Sequence, residues 1–297
     1  MLSQEIIKKI KHIEIQVRRL LSGTCVGDNS SAIKGSGFDF DQIREYQQGD
    51  DVRYIDWKGS ARAQKLLVRQ YIEDRSRTIV LAVDTSSSLF FSSTDQSKYE
   101  VISQIAGMLA LVANYGKDNS ALVLFSDEIE AVIPPSAGRA HVHLIMEKIF
   151  SVSQKKTAPA NITKALETIV QLKRQDSVVF ILSDFIENDF DRALGAVVKR
   201  YDTTMIRCLD PLERALPAVG LLPLVGSGQK INGPQESTKK YIDTRRRGVI
   251  TTNYLLKERI NLQNKLFKKY GASFLDVHTD RPFFDDILMH FRRHMRY

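Results

Sequence analysis

The run Ile79-Val80-Leu81-Ala82-Val83 stops abruptly at Asp84-Thr85-Ser86-Ser87-Ser88. No other stretch constrains the fold as much. A short apolar run rich in β-branched residues, ended by turn-forming polar ones, matches a strand buried on both faces of a parallel sheet. In open α/β sheets, ligands lie just beyond the carboxyl ends of such strands. Asp84, Ser86 and Ser88 fall at that place and offer only oxygen, which suits a hard cation such as Mg2+.

The rest of the chain repeats the alternation. A helix over 97–115 has Ile102, Ile105, Ala106, Leu109 and Val112 on its buried face, and a strand follows at 121–125. Residues 130–133 pair with that strand, and helices follow at 139–150 and 161–172, with Asn161 as N-cap. Ser177–Leu182 reads as a second fully buried strand, and it too runs into an acid, Asp184. A helix at 189–200 and a strand at 203–209 continue the pattern. Gly and Pro turn signals then mark a hairpin insertion over about 217–245, with extended pieces at 219–225 and 240–244. A helix at 251–270, a strand at 273–277 and a helix at 283–296 close the series. Residues 77–297 therefore read as one doubly wound α/β domain with a mostly parallel sheet of Rossmann type.

Residues 1–76 read as an extension. Ile6, Ile10, Ile13, Val17 and Leu20 form the apolar stripe of a helix over 4–21, and a Gly/Ser/Asn loop follows. The segment 35–62 interleaves aromatics with acids and arginines and shows neither helical nor strand period, so it reads as a compact loop of mutually satisfied Asp–Arg pairs. It carries more charge than a linker needs. Arg44, Asp50, Arg53, Asp56, Trp57 and Arg62 are accordingly the candidate partner surface. Residues 66–73 read as a strand leading into the core.

If the strand order reverses between the two acid-ended strands, Asp84 and Asp184 flank one crevice at the switch point. Two carboxylates with Ser86 and Ser88 could then hold an octahedral Mg2+, completed by water. Neutral hydroxyls leave such an ion short of negative charge, so it would take a carboxylate from a partner and give adhesion without catalysis. The competing account is a turn in which Thr85–Ser88 bond their own backbone. Enzyme readings have less behind them. The sequence contains no G-x-x-x-x-G-K-[ST] and no G-x-S-x-G. A metal-dependent phosphoryl-transfer enzyme using Asp84 as nucleophile is an alternative, but the haloacid-dehalogenase pattern has a second Asp where Ser86 stands. Net charge is +8, and the basic clusters Arg245-Arg246-Arg247 and Arg292-Arg293…Arg296 raise nucleic-acid binding as another. No aromatics are arranged around them for stacking, which counts against it. Cys25 and Cys208 stand far apart in no metal or redox spacing, and no apolar run approaches the roughly 20 residues of a membrane span. With no signal-peptide pattern at the N-terminus, a cytoplasmic location is expected.

Several runs resemble a known bacterial family, the domain-of-unknown-function 58 proteins, which are related to von Willebrand factor A domains. They are Gly37-Phe-Asp-Phe, Arg44-Glu-Tyr-Gln-Gln-Gly-Asp-Asp-Val-Arg-Tyr-Ile-Asp-Trp57, Ser60-Ala-Arg62, Asp84-Thr-Ser-Ser-Ser88, Leu182-Ser-Asp-Phe185 and Asp210-Pro-Leu-Glu213. The resemblance implies a von Willebrand A-like fold and a metal-ion-dependent adhesion site. It also implies a place beside a MoxR-type AAA+ ATPase, as a binding or assembly cofactor acting on client proteins. Asp84, Ser86 and Ser88 match the first metal motif and Asp184 the last. Ala160 stands where relatives carry a threonine ligand, leaving Thr157 or Thr163 as substitutes. The resemblance thus implies Mg2+ (or Mn2+ or Ca2+), bound weakly or not at all because Ala160 has no oxygen to give.

Overall fold

The computed structural model describes residues 39–72, 77–153, 159–172, 176–186, 189–225 and 239–284, together with residues 8, 10–15 and 17 near the N-terminus and 286, 287, 289 and 290 near the C-terminus. Its centre is a six-stranded sheet of order β10-β7-β6-β3-β4-β5. These strands are β3 (Thr78–Asp84), β4 (Asn119–Phe125), β5 (Ile129–Ser136), β6 (Ser177–Ser183), β7 (Asp202–Leu209) and β10 (Ser273–His278). All neighbours run parallel except β5, which pairs antiparallel at one edge. Every residue of β3 is buried, as its uninterrupted apolar run requires of a strand covered on both faces. The fold is the expected doubly wound α/β class with a mostly parallel sheet.

Helices cover the sheet. They are α1 (described at residues 8, 10–15 and 17), α3 (Lys98–Tyr115), α4 (Arg139–Phe150), α5 (Ile162–Gln171), α6 (Asp191–Val198) and α8 (Arg246–Tyr270), with a shorter α7 (Pro211–Arg214); α2 (Trp57–Ala63) belongs to a separate unit of the chain. Ser97 and Glu100 form a capping box that opens α3, and Asn161 caps α5 through the Lys164 N–H. One apolar cluster joins Val80 and Ala82 of β3, Val123 of β4, Ile181 of β6 and Met205 of β7 to Leu166 of α5, Leu194 of α6 and Phe267 of α8. Each large side chain buried this way contributes about 1.5–3 kcal/mol. Close packing depends on two glycines. A Cβ on Gly107 would lie 3.3 Å from Met146 Cε and 3.6 Å from Ile13 Cδ1, and one on Gly195 would lie 2.8 Å from the Tyr270 ring.

The chain divides into two units, residues 1–18 with 77–297, and residues 19–76. The N-terminal helix therefore does not belong with the segment that follows it, as an extension over 1–76 would have it. Ile10, Ile13 and Val17 are buried, and Glu14 meets Arg139 at 3.3 Å and His143 at 3.5 Å, which fastens α1 to the helical side of the larger unit.

The smaller unit also departs from expectation. The stretch read as an aperiodic loop contains a strand, β1 (Asp39–Glu45), and its antiparallel partner is β2 (Leu67–Ile72). β2 thus belongs to a two-stranded sheet of its own and is not a strand of the six-stranded sheet. The insertion after β7 is a second such pair, β8 (Leu221–Val225) with β9 (Lys239–Asp243). The loop at 23–37, Cys25, Thr157 and the cluster Arg292, Arg293 and Arg296 lie outside the described residues.

Candidate functional site

β3 and β6 are neighbours, β4 lies beyond β3 and β7 beyond β6, so connections leave the β3/β6 pair in opposite directions. This is the switch point, and the ends of both strands face it. Val83 pairs with Leu182, so Asp84 stands beside Ser183 at the carboxyl edge, and Asp184 follows one residue further along. Both aspartates are buried.

Asp84 is held by its own surroundings. Oδ1 accepts the Ser86 N–H at 2.7 Å, and Oδ2 accepts the Ser183 hydroxyl at 2.6 Å. Ser183 Oγ in turn accepts the Phe185 N–H at 3.0 Å. The Ser86 and Ser88 hydroxyls bond each other at 3.1 Å, while Thr85 donates to the Phe125 carbonyl at 2.9 Å. Burial, then the charge of Asp184, raises Asp84 to about 7 against the pull of its hydrogen bonds from Ser183 and Ser86.

Asp184 has a different partner. Lys98, the first residue of α3, places Nζ 2.7 Å from Asp184 Oδ2 and 2.6 Å from Glu213 Oε1. The Lys98 side chain has 0% of its surface exposed and Asp184 only 1%, while Glu213 keeps 16%. Burial alone would lower the Lys98 pKa, but the charges of Asp184 and Glu213 outweigh it and hold the ammonium above the ordinary lysine value.

Glu213 is positioned by the run Asp210-Pro211-Leu212-Glu213. Asp210 accepts the Leu212 N–H at 3.0 Å, and Glu213 Oε2 accepts the Asp210 N–H at 3.2 Å, which leaves Oε1 for Lys98. Asp210 also takes the Ser93 N–H at 2.8 Å and the Ser93 hydroxyl, so the loops after β3 and β7 are tied together. A second network supports the loop after β6. Arg207, buried within β7, binds Asp276 through two hydrogen bonds at 2.9 and 2.8 Å and Gln263 Oε1 at 2.6 Å. Gln263 donates onward to the carbonyl of Phe185, the residue after Asp184, which holds a left-handed φ of 51°. A bulky residue in that region is strained and persists only where its surroundings enforce it.

The structure therefore gathers Asp84, Ser86, Ser88 and Asp184 at one edge. The substitute ligand Thr163 points elsewhere, donating to the Asp189 carbonyl at 3.0 Å, and Thr157 is outside the described residues. The candidate partner residues lie in the other unit. There Arg44 forms a two-bond pair with Asp50 at 2.7 and 2.6 Å, and Arg53 pairs with Asp51 at 2.6 Å. Asp56 caps α2 through the Gly59 N–H and meets Arg69 at 3.1 Å, and Arg62 is exposed on the last turn of α2. The Arg53 side chain lowers Asp51 to about 2.

A divalent cation does not fit the switch-point residues as they stand. Asp184 Oδ2 carries the Lys98 ammonium, each Asp84 oxygen already accepts a hydrogen bond, and Ala160 has no side-chain oxygen. Among the described residues, no group of three or more His, Cys, Asp or Glu could hold a metal ion.

Lys98, Arg207 and Gln263 were not singled out by sequence reasoning, and Ser183 and Glu213 stood in quoted runs without a role of their own. One signal was present for Lys98. A lysine at the first position of a helix lies at the positive end of the helix dipole, an unfavourable place unless carboxylates answer it. For Arg207 the signal is an arginine within the run Thr203–Leu209, buried throughout, where an unpaired charge is very costly.

Fold and switch point together define a doubly wound α/β protein whose carboxyl-edge charges are paired internally. Its sequence matches the family described as "Protein of unknown function DUF58" over residues 42–247, and the chain belongs to that family. It is 30% identical over 216 residues to the uncharacterized proteins Mb1516 of Mycobacterium bovis and Rv1480 of Mycobacterium tuberculosis, covering 71% of this chain and 67% of each relative. Among solved structures it is similar to an aerotolerance-related membrane protein from Bacteroides fragilis, with TM-score 0.46 and 12% identity over 73% of this chain and 100% of that one. It is also similar to the SpRpn10 VWA domain, with TM-score 0.35 and 10% identity over 45% of this chain and 75% of that one. Among the described residues, no helix is long and apolar enough to cross a membrane.

Proposed function

We propose that this protein is a non-enzymatic, cytoplasmic protein-interaction module that serves a MoxR-type AAA+ ATPase as cofactor or adaptor toward client proteins. The observation that carries this reading is Trp57. It opens α2 with 68% of its surface exposed, beside Val52 at 60% and Tyr54 at 41%. Tryptophan and tyrosine at the centre of a contact supply much of the binding energy of protein interfaces. Around them Arg44, Asp50, Asp51 and Arg53 are already paired within the unit, so a partner meets an ordered surface and loses little side-chain freedom on binding it.

Asp84 supports the non-enzymatic part of this reading. A phosphoryl-accepting carboxylate must reach its substrate, whereas Asp84 has no exposed surface and both oxygens are hydrogen-bonded. The test is binding of the purified protein to a purified MoxR-type ATPase from the same cell, measured by interferometry. Trp57→Ala is expected to weaken the complex at least about tenfold without changing the fold. No complex, or one indifferent to Trp57→Ala and Val52→Asp, would defeat the proposal.

A further inference from the structure

We infer that Lys98 supplies from within the chain the positive charge that Asp184 and the Asp84-x-Ser86-x-Ser88 loop would otherwise take from a divalent cation, so that this switch point is assembled without metal. The inference rests on the geometry of the larger unit and is independent of the partner surface around Trp57.

The ammonium lies on Asp184 Oδ2 at 2.7 Å, at the carboxylate a metal would need, and 2.6 Å from Glu213 Oε1. Mg2+ binds carboxylate oxygen at about 2.0–2.1 Å, and a cation there would sit within a few ångströms of a second, desolvated positive charge. The remaining candidate ligands already bond neighbouring groups. Asp84 accepts from Ser86 and Ser183, and the Ser86 and Ser88 hydroxyls bond each other.

Two features show a built site and not a chance contact. Lys98 is the first residue of α3, where the unpaired N–H groups of the helix add partial positive charge, so a lysine buried there requires dedicated carboxylates. Glu213 is such a carboxylate. Its capping box with Asp210 fixes one oxygen and aims the other at Lys98. The run Asp210-Pro-Leu-Glu213, which no catalytic or metal role accounted for, thus has a task. Through Lys98 the start of α3, the loop after β6 and the turn after β7 are joined at one atom, Nζ. A metal-dependent site forms and dissolves with ion concentration, whereas this one draws its charge from the chain itself.

Mn2+ is the probe, followed by electron paramagnetic resonance and by melting temperature. Wild-type protein is expected to bind no Mn2+ at millimolar concentration and to melt at the same temperature with Mn2+ or EDTA. Lys98→Met keeps the aliphatic stem and removes the charge. It should melt lower, and should gain a Mn2+-dependent rise of several degrees that EDTA reverses. One Mn2+ bound per wild-type chain and lost in Asp184→Asn would overturn the inference, as would a Lys98→Met protein as stable as wild type. The wild-type titration needs no variant, so it decides the matter even if Lys98→Met does not fold. Lys98→Arg, which retains a cation, should remain silent to Mn2+, and binding there would also overturn the inference.

Discussion

The larger unit and the smaller one use the same kind of charged pair under opposite conditions. Lys98, Asp184 and Glu213 meet almost wholly out of water. In the smaller unit Arg53, 80% exposed, meets Asp51, and Arg44 meets Asp50 near the surface. Distances do not separate the two sets, since all include contacts of 2.6–2.7 Å. Burial does. Surface pairs gain little because water screens them and side-chain freedom is lost in making them. In a buried set the loss of one member strands the others without solvation. The exposed pairs therefore shape a surface, and the buried set holds loops in place.

The contrast can be broken most easily at Lys98. Lys98→Ala leaves Asp184 buried and unpaired, and an unfolding titration should show a loss of about 3–5 kcal/mol. A loss below about 1 kcal/mol would mean that water reaches the set after all.

Gln263→Leu comes next. It removes the bridge from Arg207 to the Phe185 carbonyl and leaves buried polar groups unsatisfied, a cost of about 1–3 kcal/mol. Hydrogen exchange should rise at Phe185 and Ile186 before it rises in β6.

His278, at the end of β10, sharpens the comparison through pH. Its Nδ1 is buried with no hydrogen-bond partner among the described residues. Burial, then Arg281 and Arg214, lowers its pKa, against the opposing pull of Asp276 and Asp280. The unfolded chain therefore takes the proton first, below about pH 6.5. This contribution to stability is present above that pH and is lost as pH falls below it. The melting temperature of wild type should drop more steeply under acid than that of His278→Asn.

The smallest effects belong to the exposed pairs. Arg53→Ala should leave the melting temperature unchanged, and added salt should matter little to either protein. Trp57→Ala should likewise spare stability while weakening the partner complex, which separates surface from scaffold.

Much of the larger unit was legible because burial imposes strong patterns. Ile79–Val83 and Val178–Leu182 could be little else than covered strands, and their terminal acids pointed to one edge. β1 escaped because Asp39-Phe-Asp-Gln-Ile-Arg-Glu45 alternates charge as readily as apolar residues, so only its pairing with β2 makes it a strand. The separation of α1 from the segment that follows it could not be read locally, since contacts of Ile13 with residues far along the chain decide it. Lys98 escaped for a chemical reason. A lysine at a helix start reads as solvated until the carboxylates meeting it, 86 and 115 residues further on, are brought to it by the fold.

The central claim is that the switch point carries its own cation. Crystals of the wild-type protein soaked in Mn2+ test it directly through anomalous scattering. The account predicts Lys98 Nζ in contact with Asp184 and Glu213 and no manganese peak at the site. A peak at bonding distance from Asp84 and Asp184, roughly 2–2.6 Å, with Lys98 turned away, would contradict it.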